Sequence, residues 1–275
     1  MAKRYTNTEV DQRLWEEIKT GRPLFMPNCG CGLTAKLQER GGADIICASP
    51  SSYWRLRGTG STAPWLPYCD INQVIDSILP EVTANVKDTP IVTLSGCHNP
   101  LVDKRELLKK LWEKGVSGVN PFMVKVYDAP FNDLIENIGM GWSNELEFVE
   151  IAHELHMFTF AYAYTPEEAR VFAERGADVV AAHVGTTVGG LAGAKTKYTL
   201  DDAAQISQQI FDAATAINPN IILFSHGGPI TTADDAAYIF KNTNCHGFVG
   251  GSAAERLPIE KAVMAATQEF KAYSR

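Results

Sequence analysis

Short apolar runs recur along the chain at 24–27, 45–48, 91–94, 117–120, 158–161, 179–183, 221–225 and 247–250. Each is continuous rather than alternating. Strands buried on both faces need that pattern, and a parallel sheet covered by helices buries them so. Between the runs the period changes. Over 102–114, Leu107, Leu108 and Leu111 fall on one helical face, and 200–217 forms another amphipathic stretch. Helix starts show in the local chemistry. Thr199 stands as an N-cap before Asp201 and Asp202, and Thr165 precedes Pro166 and two glutamates. Thr231-Thr232-Ala233-Asp234 opens a further helix, and a last one is expected over 255–273. Eight strand-like runs separated by helical stretches predict an α/β fold, a single (β/α)8 barrel over 1–275. Residues 1–20 predict an extra N-terminal helix, placed to cover the barrel bottom.

An internal echo agrees with that count. Glu39-Arg40-Gly41-Gly42-Ala43-Asp44-Ile45-Ile46 precedes the second strand, and Glu174-Arg175-Gly176-Ala177-Asp178-Val179-Val180 precedes the sixth. Both read as a helix end, a glycine cap and a buried strand. Half-barrel symmetry places two such units four apart.

The length of 275 residues suits one barrel of about 250. Hydrophobic residues at 45% and charged residues at 21% exclude a disordered or coiled-coil chain. The net charge of −7 argues against binding nucleic acid through phosphate contacts. No apolar run approaches the roughly 18 residues of a membrane span. The first residues carry charges where a signal peptide needs an apolar core. A cytoplasmic chain with no membrane or nucleic-acid partner is therefore expected. Six cysteines read as free thiols rather than a disulfide framework.

In such a barrel, chemistry sits where the strands end. Asn28, Gly30, Gly32 and Lys36 follow strand one, and Ser49, Arg55 and Arg57 follow strand two. Asn120 ends strand four. Gly227 and Gly228 follow strand seven, and Gly250, Gly251 and Ser252 end strand eight. These are the candidate substrate-binding residues. Glycine lets backbone N–H groups approach an anion, and arginine neutralises it. The same residues also serve as tight turns and surface ion pairs, and both readings stay open. His183 and His226 end neighbouring strands, as an acid and base would. With His98 or a cysteine they would instead offer zinc ligands. Magnesium wants carboxylates, and the strand ends carry none. Acids would come from loops, as Asp70, Asp128, Asp133, Glu136 and Glu145. The long loop 121–142 carries Phe122, Met123, Tyr127, Phe131, Met140 and Trp142. It reads as a lid, a subunit contact or packing across the mouth.

Several pieces form a recognisable set. They are Cys31-Gly-Leu-Thr-Ala-Lys36, Tyr53-Trp-Arg55 with Gly58-Thr-Gly60-Ser61, and Ile138-Gly-Met-Gly141. Ala182-His183-Val-Gly185-Thr-Thr-Val-Gly-Gly190, His226-Gly-Gly-Pro-Ile230 and His246-Gly-Phe-Val-Gly250 with Glu255-Arg-Leu-Pro258 complete it. Together they resemble the phosphoenolpyruvate hydrolase-like family, also labelled TIM-barrel signal transduction proteins. The resemblance implies a TIM barrel of the phosphoenolpyruvate/pyruvate superfamily type and an intracellular homo-oligomer. Cys29 and Cys31 depart from the small or hydroxyl residues expected after strand one. With the site motifs, the resemblance implies an enzyme acting on a small anionic keto acid, enol phosphate or related carboxylate. The reaction would be hydrolysis or C–C cleavage, with His183 and His226 catalytic and a divalent metal, magnesium or zinc, as the cofactor to test. A non-catalytic, ligand-sensing or partner-binding barrel is one alternative, and a zinc-dependent keto-acid cleavage enzyme is the other.

Overall fold

The computed structural model describes residues 2–67, 69–125 and 129–273. Eight parallel strands close on themselves in chain order. They are β1 (Leu24–Cys29), β2 (Ile46–Ala48), β3 (Ile91–Ser95), β4 (Gly118–Pro121), β5 (Phe158–Ala163), β6 (Val179–His183), β7 (Ile222–His226) and β8 (Gly247–Gly250). The described helices are α1 (Asn7–Lys19), α2 (Gly32–Arg40), α3 (Pro50–Arg55), α4 (Ile71–Asn85), α5 (Lys104–Glu113) and α6 (Ala129–Asn137). Then come α7 (Ser143–Glu154), α8 (Pro166–Glu174), α9 (Leu200–Thr215), α10 (Ala233–Asn242) and α11 (Arg256–Lys271). Closure is made by β1, which pairs Asn28 with Cys47 of β2 and Met26 with Val249 of β8. The (β/α)8 architecture expected from the apolar runs is the one observed.

Both faces of the strands are buried apart from exposed Phe25 and half-buried His183, so the runs carry few polar residues. Leu24, Met26, Val92, Phe158, Phe160, Val179, Ile222 and Phe224 fill the barrel interior. On the outer faces, Val180, Ala182 and Leu223 pack against Phe172 of α8 and Ile210 and Phe211 of α9. Ile46, Ala48 and Val119 pack against Ile75, Ile78 and Phe148 of α4 and α7. Each fully buried side chain of this size contributes roughly 1.5–3 kcal/mol.

Local signals set the helix starts. Thr199 and Asp202 form a reciprocal capping box at α9, as do Thr232 and Asp235 at α10. At α8, Thr165 accepts the Glu168 N–H, with Pro166 at the first position. The internal echo is structural too. Gly42 and Gly176 both adopt positive φ, +89° and +82°. Two residues on, Asp44 accepts the Phe25 N–H at 2.8 Å and Asp178 accepts the Thr159 N–H at 2.7 Å. Each aspartate thus ties the start of its own strand to the strand before it.

Helix α1 lies across the strand starts. Its Val10 and Leu14 join the interior cluster, the Asn7 N–H reaches the His156 carbonyl at 2.9 Å, and Trp15 meets His246 edge-on. His156 lies two residues before β5 and His246 directly before β8, at the end opposite the strand-end candidates. The long loop folds differently from a plain strap, because α6 sits within it without one buried residue. Helix α11 also departs from a simple barrel. From Pro258 to its end at Lys271 its residues are exposed, apart from half-buried Glu260. No described helix is long and apolar enough to cross a membrane.

Candidate functional site at the barrel mouth

A cavity of about 50 Å³ lies at the carboxyl ends of the strands. Its wall includes Asn28 of β1, Arg55 of α3, Tyr162 of β5, His183 of β6, His226 of β7, and Gly251 and Ser252 after β8. Trp65, Phe122 and Met123 close one side, and the Trp65 indole N–H holds the Met123 carbonyl at 2.8 Å. Drug-sized ligands occupy roughly 300–1,000 Å³. A cavity this small suits a ligand of a few heavy atoms.

β6 and β7 pair His183 directly with His226, so the chain's register brings the two rings together. Their centroids are 4.7 Å apart, and the Tyr162 ring lies 5.3 Å from one and 5.0 Å from the other. Burial drives the His183 pKa well below its ordinary value, with the neighbouring imidazole adding to it. Burial likewise takes His226 down to about 4, with the Arg55 charge adding to it. Both rings are neutral at pH 7. Their hydrogen bonds then fix the tautomers. His183 Nδ1 accepts the Gly185 N–H at 3.1 Å, which leaves Nε2 carrying the proton. His226 Nδ1 donates to the Val249 carbonyl at 2.8 Å, which leaves Nε2 with its lone pair. One imidazole therefore offers a donor and the other an acceptor.

Arg55 closes the opposite wall, with its side chain 3% exposed. It donates to the Ser52 hydroxyl and, at 3.3 Å, to Ser61, whose hydroxyl meets Ser252 at the same distance. Its Nε has no partner among the described residues, nor does Asn28 Oδ1. Behind it lies Glu255, fully buried, with Oε2 3.8 Å from the guanidinium. Glu255 was not among the site residues expected from sequence. Its only sequence signal is a carboxylate just after the last glycine loop.

The glycine loop after β1 does not serve as an open anion cradle. The Gly30 N–H donates to Glu255 Oε1 at 2.8 Å, and the Gly32 N–H to Glu81 at 2.9 Å. A Cβ on Gly30 would stand 2.5 Å from the Ser52 backbone, so glycine is needed there for close packing. After β7, Gly227 has φ +85° and a Cβ on it would meet the Gly185 carbonyl at 2.0 Å. The Gly228 N–H is bonded to that same carbonyl at 2.8 Å. Tight turning explains these glycines.

The structure brings together Asn28, Arg55, His183, His226, Gly251 and Ser252 from the sequence candidates. Ser51, Ser61, Tyr162, Thr186 and Thr187 join them. Gly30, Gly32, Gly227 and Gly228 build the surrounding turns, and Ser49 caps α3. Gly250 faces Phe25 and Ala254, away from the cavity. Asn120 is buried on β4 with neither amide atom bonded among the described residues, and is not on the cavity wall. Lys36 points to solvent from α2. Arg57 lies over the Tyr53 ring at 3.3 Å, on the outside. Among the loop acids, Glu145 pairs with His98 at 3.3 Å and Asp70 caps α4. Glu136 accepts the Ser143 N–H, and Asp133 is exposed. None of these four lines the cavity. Tyr127 and Asp128 lie outside the described residues. Cys29 faces the outer helices, and Cys31 sits beside Thr34.

The family described as phosphoenolpyruvate hydrolase-like matches residues 9–273. The chain is 38% identical to the ToMV resistance protein Tm-1(GCR237) of Solanum lycopersicum over 269 residues, 97% of this chain and 36% of that one. It is 30% identical to a putative transcriptional regulatory protein, y4pA, of Sinorhizobium fredii over 244 residues, 88% of this chain and 40% of that one. The chain thus spans about two fifths or less of these curated relatives. Among solved structures, a phosphonopyruvate hydrolase complex with oxalate and magnesium superposes with TM-score 0.60 at 13% identity, covering 95% and 87% of the two chains. Oxaloacetate acetylhydrolase gives 0.59 at 13%, covering 98% and 88%. These barrels share the fold with 2,3-dimethylmalate lyase, a PEP mutase/isocitrate lyase superfamily member at TM-score 0.59 and 13% identity, covering 97% and 88%.

The magnesium in one of those complexes raises the question of fit. Magnesium binds hard oxygen ligands, chiefly carboxylates and waters. Among the described residues no carboxylate lines the wall, and Glu255 behind it is engaged by Gly30 and Thr34 and faces Arg55. Among the described residues no three His, Cys, Asp or Glu side chains gather closely enough for a metal. The donor set does not fit magnesium, and His98 is not on the cavity wall with His183 and His226 to complete a zinc site there.

Proposed function

The chain belongs to the phosphoenolpyruvate hydrolase-like family, and from that premise we propose that its cavity binds a small 2-oxo carboxylate or enol phosphate and cleaves it, by hydrolysis or C–C scission. One observation carries the reading. A buried guanidinium with an unbonded Nε shares a 50 Å³ cavity with two neutral imidazoles of opposite hydrogen-bonding role. Arg55, with Ser61 and Ser252, holds the anionic group. His183 Nε2–H donates to the carbonyl oxygen on which enolate charge develops. His226 Nε2 takes the proton that must move. The same anion cancels the Arg55 charge that disfavours protonated His226. The imidazole therefore gains basicity once substrate is in place. Donor and acceptor are both set before binding, which spares reorganisation during reaction.

Turnover across a panel of small 2-oxo acids and enol phosphates tests this, read on wild type, His183→Ala and His226→Ala. A loss of about 10²- to 10⁴-fold is expected in each variant, the usual scale for a positioned acid or base. Oxalate binding should persist by calorimetry. Full activity in both variants overturns the assigned roles.

A second reading is supported by the curated relatives, one a resistance protein and one a putative transcriptional regulatory protein. In it the same cavity binds a small anion without turnover. Saturable binding across the panel with no product favours it.

A further inference from the structure

Arg55 lines more than the cavity at the mouth. A second cavity, of about 240 Å³, lies against it, and Arg55 is the one described residue that lines both. The other charged lining residues are Arg256 and Glu260, in the first turns of α11. Leu56, Leu191, Ala192 and Ile259 make the remainder mainly apolar. Small-molecule sites commonly have this make-up, an apolar hollow with a few convergent polar groups.

The two arginines keep donors in reserve. The Arg256 side chain is 5% exposed and makes two hydrogen bonds among the described residues, to Glu260 at 2.8 Å and to the Gly189 carbonyl at 2.9 Å. Arg55 also makes two, to Ser52 and Ser61. A guanidinium has five N–H donors, and the Nε of each arginine is buried without a partner among the described residues. The nearby carboxylates do not fill the deficit. Glu260 holds Arg256 with one oxygen and the Leu191 N–H with the other, at 3.1 Å. Glu255 stands 3.8 Å from Arg55, beyond hydrogen-bond reach.

The loop between β6 and α9 is fitted to Arg256. Gly190 in that loop has φ +68°, and a Cβ on it would stand 2.4 Å from Arg256 Nη1. Glycine lets the loop close on the arginine, and Leu191 and Ala192 continue it along the cavity wall. Burial lowers the Arg55 pKa, the Glu255 charge opposes this, and the Arg256 charge adds to it. A negative charge beside both guanidiniums relieves that repulsion. We propose that the second cavity binds a small monocarboxylate with an apolar body, its carboxylate on Arg55 and Arg256 and its body against Leu56, Leu191, Ala192 and Ile259. The site is separate from the mouth cavity and does not depend on the cleavage proposed there. Arg55 couples the two, because an anion in either cavity draws on the same guanidinium.

Calorimetric titration of the full chain with phenylacetate tests it. One molecule should bind per chain. Arg256→Met and, separately, Ala192→Glu should each raise the Kd by about tenfold or more, the worth of one charge-assisted hydrogen bond. Ala192 is half-buried on a loop, so that variant should fold even where loss of Arg256 is not tolerated. Saturating oxalate should raise the phenylacetate Kd by about five- to fiftyfold and then level off, as two anions in separate sites sharing one charge require. A Kd that climbs in proportion to oxalate without limit puts both ligands in one cavity and overturns the proposal. So does a wild-type chain that binds no phenylacetate, or binding that both substitutions leave unchanged. If oxalate itself fails to bind, the reading of the mouth cavity falls, while the phenylacetate titrations still decide this one.

Discussion

The loop after β1 and the wall around Arg55 stand at the same mouth of the barrel and are made of the same glycine and hydroxyl residues. They differ in what has already been satisfied. At the loop, the Gly30 and Gly32 N–H groups carry carboxylates supplied by the chain itself, from Glu255 and Glu81. At the wall, Arg55 Nε and Asn28 Oδ1 are buried without partners among the described residues. A buried polar group left unbonded costs about 1–3 kcal/mol, so fold stability alone does not favour leaving it so. The amides of the first corner are already engaged, whereas the second keeps an unbonded donor beside the cavity for the proposed anion to meet. Glycine content does not separate them, but the unbonded guanidinium donor and amide acceptor at the wall do.

The sharpest way to break that contrast is Arg55→Met. It leaves Glu255 buried without its counter-charge, which should lower stability by about 3–5 kcal/mol in chemical denaturation. Oxalate binding should vanish. Adding Glu255→Gln should restore much of the stability while binding stays lost, because only the charge imbalance is repaired. If the double variant binds as wild type does, Arg55 is not the anion-holding group.

A second effect is set by pH. The folded His226 titrates near 4 against about 6.5 unfolded. Its contribution is intact above pH 6.5 and is lost as pH falls towards 4. The loss should approach about 3 kcal/mol, because a tenfold change in proton affinity between folded and unfolded chains is worth about 1.4 kcal/mol. Asp178, pushed up to about 6 by burial, acts with the opposite sign in the same window. The difference between wild type and His226→Asn isolates the histidine. A ring-carbon resonance of His183 or His226 titrating near 6.5 in the folded protein would contradict the buried neutral pair.

The finished corner should respond only in stability. Thr34→Val removes a hydrogen bond to the Glu255 carboxylate, and about 1–2 kcal/mol should be lost with turnover nearly unchanged. Lys36→Ala and Arg57→Ala should do least, within about 0.5 kcal/mol and without effect on binding. A binding defect in either would place the anion elsewhere on the mouth.

These differences also mark how far the sequence could be read. The strands, the capping boxes at Thr199 and Thr232 and the repeated glycine–aspartate turn are local, and the sequence carries each within a few residues. The pairing of His183 with His226 followed from their places at the ends of neighbouring strands. What escaped depends on distance along the chain. Glu255 meets Gly30 across 225 residues, and Glu81 meets Gly32 across 49. No local pattern announces that a carboxylate from so far away will occupy a glycine loop. Lys36 and Arg57 lie off the cavity wall for another reason. Following a strand end places a residue near the mouth, but the turn of the helix decides its direction. The sequence predicted a last helix over 255–273 but held no local sign that it would stand exposed from Pro258 onward.

Asp44 and Asp178 have a meaning for closure itself. Each carboxylate accepts the N–H of the second residue of one strand while standing at the threshold of the next. Slide either strand by one residue and the carboxylate faces a carbonyl or an apolar side chain. The stagger of a closed sheet is a whole number that must come out right around the full circle. Here it is checked twice, at opposite sides of the ring, by groups that tolerate no intermediate value. The barrel carries its own vernier.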